Sequence, residues 1–220
     1  MIEKERQVLI ILPHPDDESL GMGGTIARYR KMDVPVRYVC LTLGEMGRAF
    51  GNPPFADRES LPLIRKGELK RACEAMNLTD VHLAGMRDKT LEFEDERAMT
   101  ERMKRYIEET NPSVLYSFYP GFAVHPDHEA AARAIMRAVE EIPKANRPKL
   151  RLIAFANDTE EKLGKPPITH DVSSVRDEKL AALKAHDSQV GDMIRDVERQ
   201  VSEGNEEAIE WLDFEHFYTM

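Results

Sequence analysis

The chain has 220 residues, 41% hydrophobic and 32% charged, and its 31 Lys and Arg against 40 Asp and Glu leave a net charge of −9. That length suits one α/β domain over residues 1–220, and the acidic balance excludes a broad electrostatic footprint for nucleic acid. No apolar run approaches a membrane span and the first residues lack a signal-peptide pattern, so a cytoplasmic protein with no membrane contact is expected.

Val8 to Leu12 reads as a strand buried on both faces, bounded by Pro13. Directly after it come His14, Pro15, Asp16, Asp17 and Glu18. An open α/β sheet binds its ligands beyond the carboxyl ends of its strands, so this density of chemistry falls where a site is expected. It reads either as a polar turn capping the next helix or as half of a metal site. In the second reading an imidazole and one carboxylate are ligands, and the neighbouring carboxylate acts on water. Side chains of adjacent residues on an extended segment point apart, so Asp16 and Asp17 can take different roles.

Gly21-Met22-Gly23-Gly24 then leads into a helix over Thr25 to Lys31. With Ile26 in place of a third glycine, it does not make a dinucleotide fingerprint and suits a helix lying close to the sheet. Val34 to Leu43 reads as the second strand, and Cys40 within it as a buried thiol, like Cys73 in a helix. A long Gly-, Asn- and Pro-rich loop over Gly44 to Asp57 carries Glu45, Arg48 and Asn52, with Arg58 just beyond, all past a strand's carboxyl end. A helix over Glu59 to Met76 and a strand over Asp80 to Ala84 follow. The next loop carries Arg87 and Asp88, and a charged helix covers Glu96 to Glu109.

Val114 to Tyr119 is the fourth strand, and it ends at His125-Pro126-Asp127-His128. The three-residue spacing sets both imidazoles near one face of a helix N-terminus, with Pro126 in the first turn. The two strand-end clusters together offer His, Asp and His. Three protein ligands with a fourth position open describe a catalytic zinc site, not a closed structural one. A helix over Asp127 to Glu140 and a strand over Leu150 to Ala156 come next. Beyond them, Thr169 to Val172 adds a short strand, and a helix capped near Ser174 runs through His186. Glu203 to Glu207 reads as solvated surface, and Trp211 to Tyr218 as a closing edge strand.

Pro13 to Glu18 together with His125 to His128 resembles the PIG-L/LmbE-type zinc N-deacetylases. The resemblance extends to Leu41–Gly47, Arg65–Leu69 and Lys184–Gln189, so it spans most of the chain. Gly51–Phe55 followed by Arg58-Glu59 is most similar to the bacillithiol-biosynthesis deacetylases. The resemblance implies a Rossmann-like, doubly wound, mostly parallel sheet. It implies an enzyme that removes acetyl from an N-acetylglucosaminyl conjugate, with N-acetylglucosaminyl malate as the expected small-molecule substrate. It further implies that His14, Asp17 and His128 hold Zn²⁺ (Fe²⁺ or Co²⁺ as other candidates), that Asp16 is the general base, and that His125 stabilises the oxyanion or protonates the leaving amine. Some relatives carry a tyrosine where this chain has Ala123. A homo-oligomer, trimer or hexamer, is the family's expectation. A malate also needs cations close to the metal, which singles out Arg48 and Arg87, with Glu45 beside them on the same loops. The competing readings are a deacetylase of another conjugate such as chitin oligomers, a Mg²⁺-dependent phosphatase using Asp16 and Asp17, and a non-catalytic sugar-binding module.

Overall fold

The computed structural model describes residues 2–220. Its strands are β1 (Val8–Leu12), β2 (Val36–Cys40), β3 (Asp80–Leu83), β4 (Val114–Phe118), β5 (Lys149–Ile153), β6 (Ile168–Asp171) and β7 (Phe214–Phe217). The helices are α1 (Asp17–Lys31), α2 (Leu61–Ala75), α3 (Glu96–Thr110), α4 (Pro126–Glu141), α5 (Thr159–Leu163), α6 (Arg176–Ala185), α7 (Asp187–Ser202) and α8 (Glu206–Asp213). The first five strands form one parallel sheet in the order β3-β2-β1-β4-β5.

β1 runs through the middle of that sheet, and all five of its side chains are fully buried. Alternation along the strand sends them to two cores. Val8, Ile10 and Leu12 pack with Met22 and Ile26 of α1, Leu69 of α2 and Ala182 of α6. Leu9 and Ile11 pack on the opposite face with Met103 and Ile107 of α3 and Ile135 of α4. A strand covered on both sides needs an unbroken apolar run, which is what Val8 to Leu12 supplies. The chain steps outward from β1 to β3, then crosses back to start β4 on the other side. Strand order therefore reverses between β1 and β4, and their carboxyl tips flank the crevice where such sheets bind ligands.

Several boundaries differ from the sequence expectations. Helix α1 starts at Asp17, not Thr25, and takes in the glycines, with a break at Met22. Close approach explains them: a Cβ on Gly21 would lie 2.5 Å from Ile153 at the end of β5, and one on Gly24 would lie 2.5 Å from Val172. The expected edge strand over Trp211 to Tyr218 is corrected to the end of α8 followed by β7. Asn205 caps α8 by accepting the Ala208 N–H, and Glu206 and Glu207 occupy its first turn, where the helix dipole favours acids. The acidic stretch is thus a helix start. β7 pairs antiparallel with β6 in a separate two-stranded sheet, joined to the main sheet by a bridge between Leu152 and Tyr218. Cys40 and Cys73 are buried and unbridged, as expected.

The tight contact at Gly24 sets a test of the packing. Gly24→Ala should lower unfolding stability by about 1–3 kcal/mol, the usual cost of overpacking a well-filled core. In urea the midpoint should fall at constant slope, and an unchanged midpoint would contradict the contact.

Candidate metal centre

The turn after β1 is tied to the end of β2, because Thr42 donates both its backbone N–H and its hydroxyl to the Pro13 carbonyl, at 2.8 and 2.9 Å. From this anchored turn His14 and Asp17 face His128, which projects from the first turn of α4. His14 Nδ1 lies 3.1 Å from His128 Nε2 and 3.5 Å from an Asp17 oxygen, and the other Asp17 oxygen lies 3.3 Å from His128 Nε2. Tetrahedral coordination with bonds of 2.0–2.1 Å separates its ligand atoms by about 3.3 Å, so the triangle has the right size for such an ion.

The outer hydrogen bonds fix which nitrogens carry lone pairs. His128 Nδ1 faces the Ala123 carbonyl at 3.1 Å, so it holds the proton and leaves Nε2 bare. His14 Nε2 faces Asp88 and Asp127 carboxylate oxygens at 3.1 and 3.3 Å, which does the same for Nδ1. In the neutral tautomers two bare nitrogens and a carboxylate point at one another. Burial works against a protonated His14, yet Asp127, Asp17 and Asp88 outweigh it and raise the His14 pKa well above its ordinary value, so without a metal a proton on Nδ1 occupies the position a metal ion would take over. Burial would likewise raise the Asp17 carboxyl, but His128 and His14 hold it well below the usual carboxylate range. Charge and donor chemistry both fit a bound cation.

Two other trios come close together, His14 with His125 and His128, and His14 with Asp88 and Asp127. Neither offers three free donors. His125 Nδ1 accepts the Asp127 N–H at 3.1 Å, which leaves its Nε2 as a proton donor. Asp127 is occupied by the N–H groups of Lys89 and Leu91, at 2.7 and 3.1 Å, and Asp88 by that of Met46 at 2.7 Å. These carboxylates brace the imidazole of His14 from behind.

Asp16 sits beside the triangle in a conformation that L residues rarely adopt, with φ 101° and ψ −31°. A strain of this kind costs about 1–3 kcal/mol and persists only where the surroundings over-determine it. Arg65 of α2 supplies one restraint: buried, it binds the Asp16 carboxylate at 2.9 Å, the Gly44 carbonyl at 2.8 Å and the Pro15 carbonyl. Gly44 has φ +61°, and a Cβ there would collide with that guanidinium, so the glycine is required. Burial pushes the Asp16 carboxyl up to about 6, with Arg65 opposing it and Asp17 adding to it. On the other wall Val124 is held at φ 63°, and Glu129 pins the loop before it by accepting the Gly121 and Ala123 N–H groups at 2.6 and 2.9 Å. Burial first, then His14 and His128, lower the His125 pKa, which favours its neutral form.

The triangle, Asp16, Arg65, Asp88 and His125 line a cleft of about 620 Å³ that also takes in Arg48, Lys89 and Glu92. Arg48 is exposed and makes no ion pair or side-chain hydrogen bond among the described residues. Two of the expected substrate contacts lie elsewhere. Glu45 does not line the cleft; its carboxylate turns inward and accepts the Asp88 N–H at 3.1 Å, steadying the residue behind His14. Arg87 is exposed outside the lining, and Lys89, in the same loop, takes its place. Arg58 is absorbed in holding its own loop through the Gly47 and Glu45 carbonyls, at 2.9 and 3.3 Å. Asp17 and His128 also wall a second cleft of about 680 Å³, an apolar one with Leu20, Phe118, Phe155, Met193 and Trp211.

A doubly wound sheet with a His/Asp/His cluster at its switch point is the arrangement of a metal-dependent enzyme, and sequence comparison gives the reaction class. Residues 9–139 match the PIG-L model, described as GlcNAc-PI de-N-acetylase, and the chain belongs to this deacetylase family. It is 48% identical over 217 residues to the "Probable N-acetyl-alpha-D-glucosaminyl L-malate deacetylase 2" of Bacillus anthracis, covering 99% of this chain and 96% of that one. Among solved structures it resembles N,N'-diacetylchitobiose deacetylase from Pyrococcus horikoshii, with TM-score 0.73, 24% identity and coverage of 98% and 84%. It also resembles the 4-carboxy-2-hydroxymuconate hydratase from Pseudomonas putida, with TM-score 0.73, 18% identity and coverage of 97% and 96%. The family makes the enzyme a deacetylase, a hydrolase of carbon–nitrogen bonds, and the phosphatase and non-catalytic readings lose their ground. No helix among the described residues is long and apolar enough to cross a membrane.

Metal content tests the donor set. His128→Ala should abolish stoichiometric metal in elemental analysis. Asp88→Asn, which removes a brace and no ligand, should weaken affinity by ~10–100-fold in chelator competition, as outer-shell carboxylate losses do. Full metal in the first variant would remove His128 from the set.

Proposed function

We propose that this protein hydrolyses the acetamide of N-acetylglucosaminyl malate, releasing acetate and the free amine, with Zn²⁺ held by His14, Asp17 and His128. The observation that carries the reading is the meeting of three lone-pair donors with a strained, half-buried carboxylate and an imidazole donor in one cleft. Two nitrogens and one oxygen favour a borderline-soft ion over Mg²⁺. When bound, Zn²⁺ lowers the pKa of water and polarises the acetyl carbonyl.

The chain's own groups do the rest. Asp16 takes a proton from the attacking water and returns it to the leaving nitrogen as the C–N bond breaks. A raised pKa suits a group that must both accept and return a proton. His125, neutral and with Nε2–H free to donate, hydrogen-bonds the carbonyl oxygen as negative charge develops on it. That geometry supports the oxyanion role over the acid role, and it covers the function for which Ala123 supplies no side chain. Arg48, unpaired at the mouth, is the reader of the malate carboxylates, with Lys89 adding a second positive charge. The malate reading rests on the Bacillus anthracis relative's name together with these cations. The cytoplasm is the compartment such a biosynthetic step implies, and a homo-oligomer remains the family's expectation.

Two measurements test the assignment. Asp16→Asn should keep its metal and lose ~10²–10⁴-fold in kcat, the usual size of general-base catalysis. Arg48→Ala should lose ~10–100-fold in kcat/KM on N-acetylglucosaminyl malate, as for one charge-assisted contact, and little on N-acetylglucosamine. Equal losses on both sugars would show that Arg48 does not read the malate.

A further inference from the structure

One buried ion pair beneath the cleft has no part in the chemistry above. His186 stands at the corner between α6 and α7, 168 residues from Glu18, and both side chains are fully buried. Its Nε2 faces Glu18 Oε1 at 2.7 Å, while its Nδ1 is buried without a hydrogen-bond partner. The imidazole therefore makes a single polar contact, and that contact goes to Glu18. The Glu18 carboxylate is more heavily used. Oε1 also accepts the Ser19 hydroxyl at 2.7 Å, and Oε2 accepts the Asp16 N–H at 3.1 Å and the Tyr38 hydroxyl at 3.3 Å.

Asp16 is thus gripped from several sides. Its carbonyl accepts the Ser19 and Leu20 N–H groups at 3.0 and 2.9 Å, Arg65 holds its carboxylate and the Pro15 carbonyl of the preceding peptide unit, and Glu18 accepts the N–H of that same unit from the core side. The amide is the end that matters for the positive φ, because rotation toward an ordinary conformation would swing the Asp16 N–H away from Glu18 and re-aim the carboxylate. Asp17 is anchored separately, through the His14 N–H at 2.8 Å and the two imidazoles. Relaxation would therefore be absorbed at Asp16 and leave the metal ligands where they are.

We propose that His186 is a positioning residue for the hydrolysis: by donating to Glu18 it fixes the carboxylate that holds the Asp16 amide, and so keeps the Asp16 carboxylate aimed into the cleft. The proposal rests on the reading of Asp16 as the general base. An ion pair serving stability alone would affect every variant of the enzyme equally, whereas a brace for Asp16 matters only while Asp16 does its work.

The test is a double-mutant cycle on the metal-loaded protein. His186→Phe, similar in shape without a donor, and His186→Gln, which keeps an N–H near the position of Nε2, are each made alone and with Asp16→Asn. Acetate release from N-acetylglucosaminyl malate gives kcat and KM, and elemental analysis gives bound metal. In the native background His186→Phe should lower kcat by ~10–100-fold, the scale of a misplaced catalytic group, with KM little changed and metal stoichiometric. His186→Gln should recover most of that loss. With Asp16→Asn present, His186→Phe should change kcat by less than about twofold. The same fold-loss in both backgrounds overturns the proposal, and so does loss of metal in His186→Phe. If Asp16→Asn alone barely affects kcat, the base assignment is what fails. Should His186→Phe not fold, the same cycle with His186→Asn, too short to reach Glu18, decides by the same criterion.

Discussion

Two imidazole nitrogens and a carboxylate held 3.1–3.5 Å apart repel one another unless a proton or a metal ion stands among them. Much of the architecture can be read as a means of holding that arrangement. The parallel sheet brings the tips of β1 and β4 side by side at the point where strand order reverses, so ligands 114 residues apart in sequence converge without a long loop. Buried acceptors then set each ring. Asp88 and Asp127 take the outer proton of His14, and the Ala123 carbonyl takes that of His128. The carboxylates are held in turn by backbone N–H groups of the loops after β2 and β3. The loops owe their shape to the site as much as the site owes its shape to the loops.

The same acidity that suits a cation works against an anionic substrate. Asp16, Asp17, Asp88 and Asp127 gather around the triangle, and the whole chain carries −9. Arg65 neutralises part of this from within, but it is buried and committed to the chain turn, so it offers little to a ligand. The field at the mouth depends instead on Arg48 and Lys89 set against Glu92. A divalent ion in the triangle would add the largest positive charge nearby and shift that balance further. Anion binding and metal binding are coupled here by simple electrostatics.

The residues of the candidate metal triangle stood out in the sequence because His14 and Asp17 follow β1 directly and His128 opens the helix after β4, where apolar run, proline and histidine mark the place. The two-faced burial of β1 was legible for the same reason. For residues that act from afar, Arg65 and His186, the resemblance marked the segments, with His186 either near the active-site shell or in a structural hydrogen bond, but not the partners. Arg65 is one of 31 basic residues, and nothing local distinguishes a helix arginine that clamps a carboxylate from one that faces water. The link from His186 to Glu18 crosses 168 residues and exists only after α6 has docked against α1. Glu45 and Arg87 have the right chemistry on the right loops, but the turn directions that send one inward and the other outward depend on contacts made by Asp88. Trp211 to Tyr218 read as strand because its aromatic and apolar residues suit one, yet the Asn205 cap and the acids after it started a helix that ran into that segment.

The likeness to a hydratase at the same TM-score as to a chitobiose deacetylase shows that this fold does not dictate one reaction. What the crevice can supply is a carboxylate poised beside a cation site, an arrangement that serves any reaction in which water must lose a proton as it attacks. The choice of target then falls to the surrounding loops. Here the first cleft is polar, with Arg48, Lys89 and Glu92 among its lining, and the second is apolar, and they share Asp17 and His128 as a common wall. An N-acetylated sugar acid has its charge and hydroxyls on one side of the amide and a methyl group on the other. The polar cleft has the chemistry of the first side and the apolar cleft that of the second, so the loops around the crevice, more than the sheet beneath it, carry what distinguishes this copy of the fold.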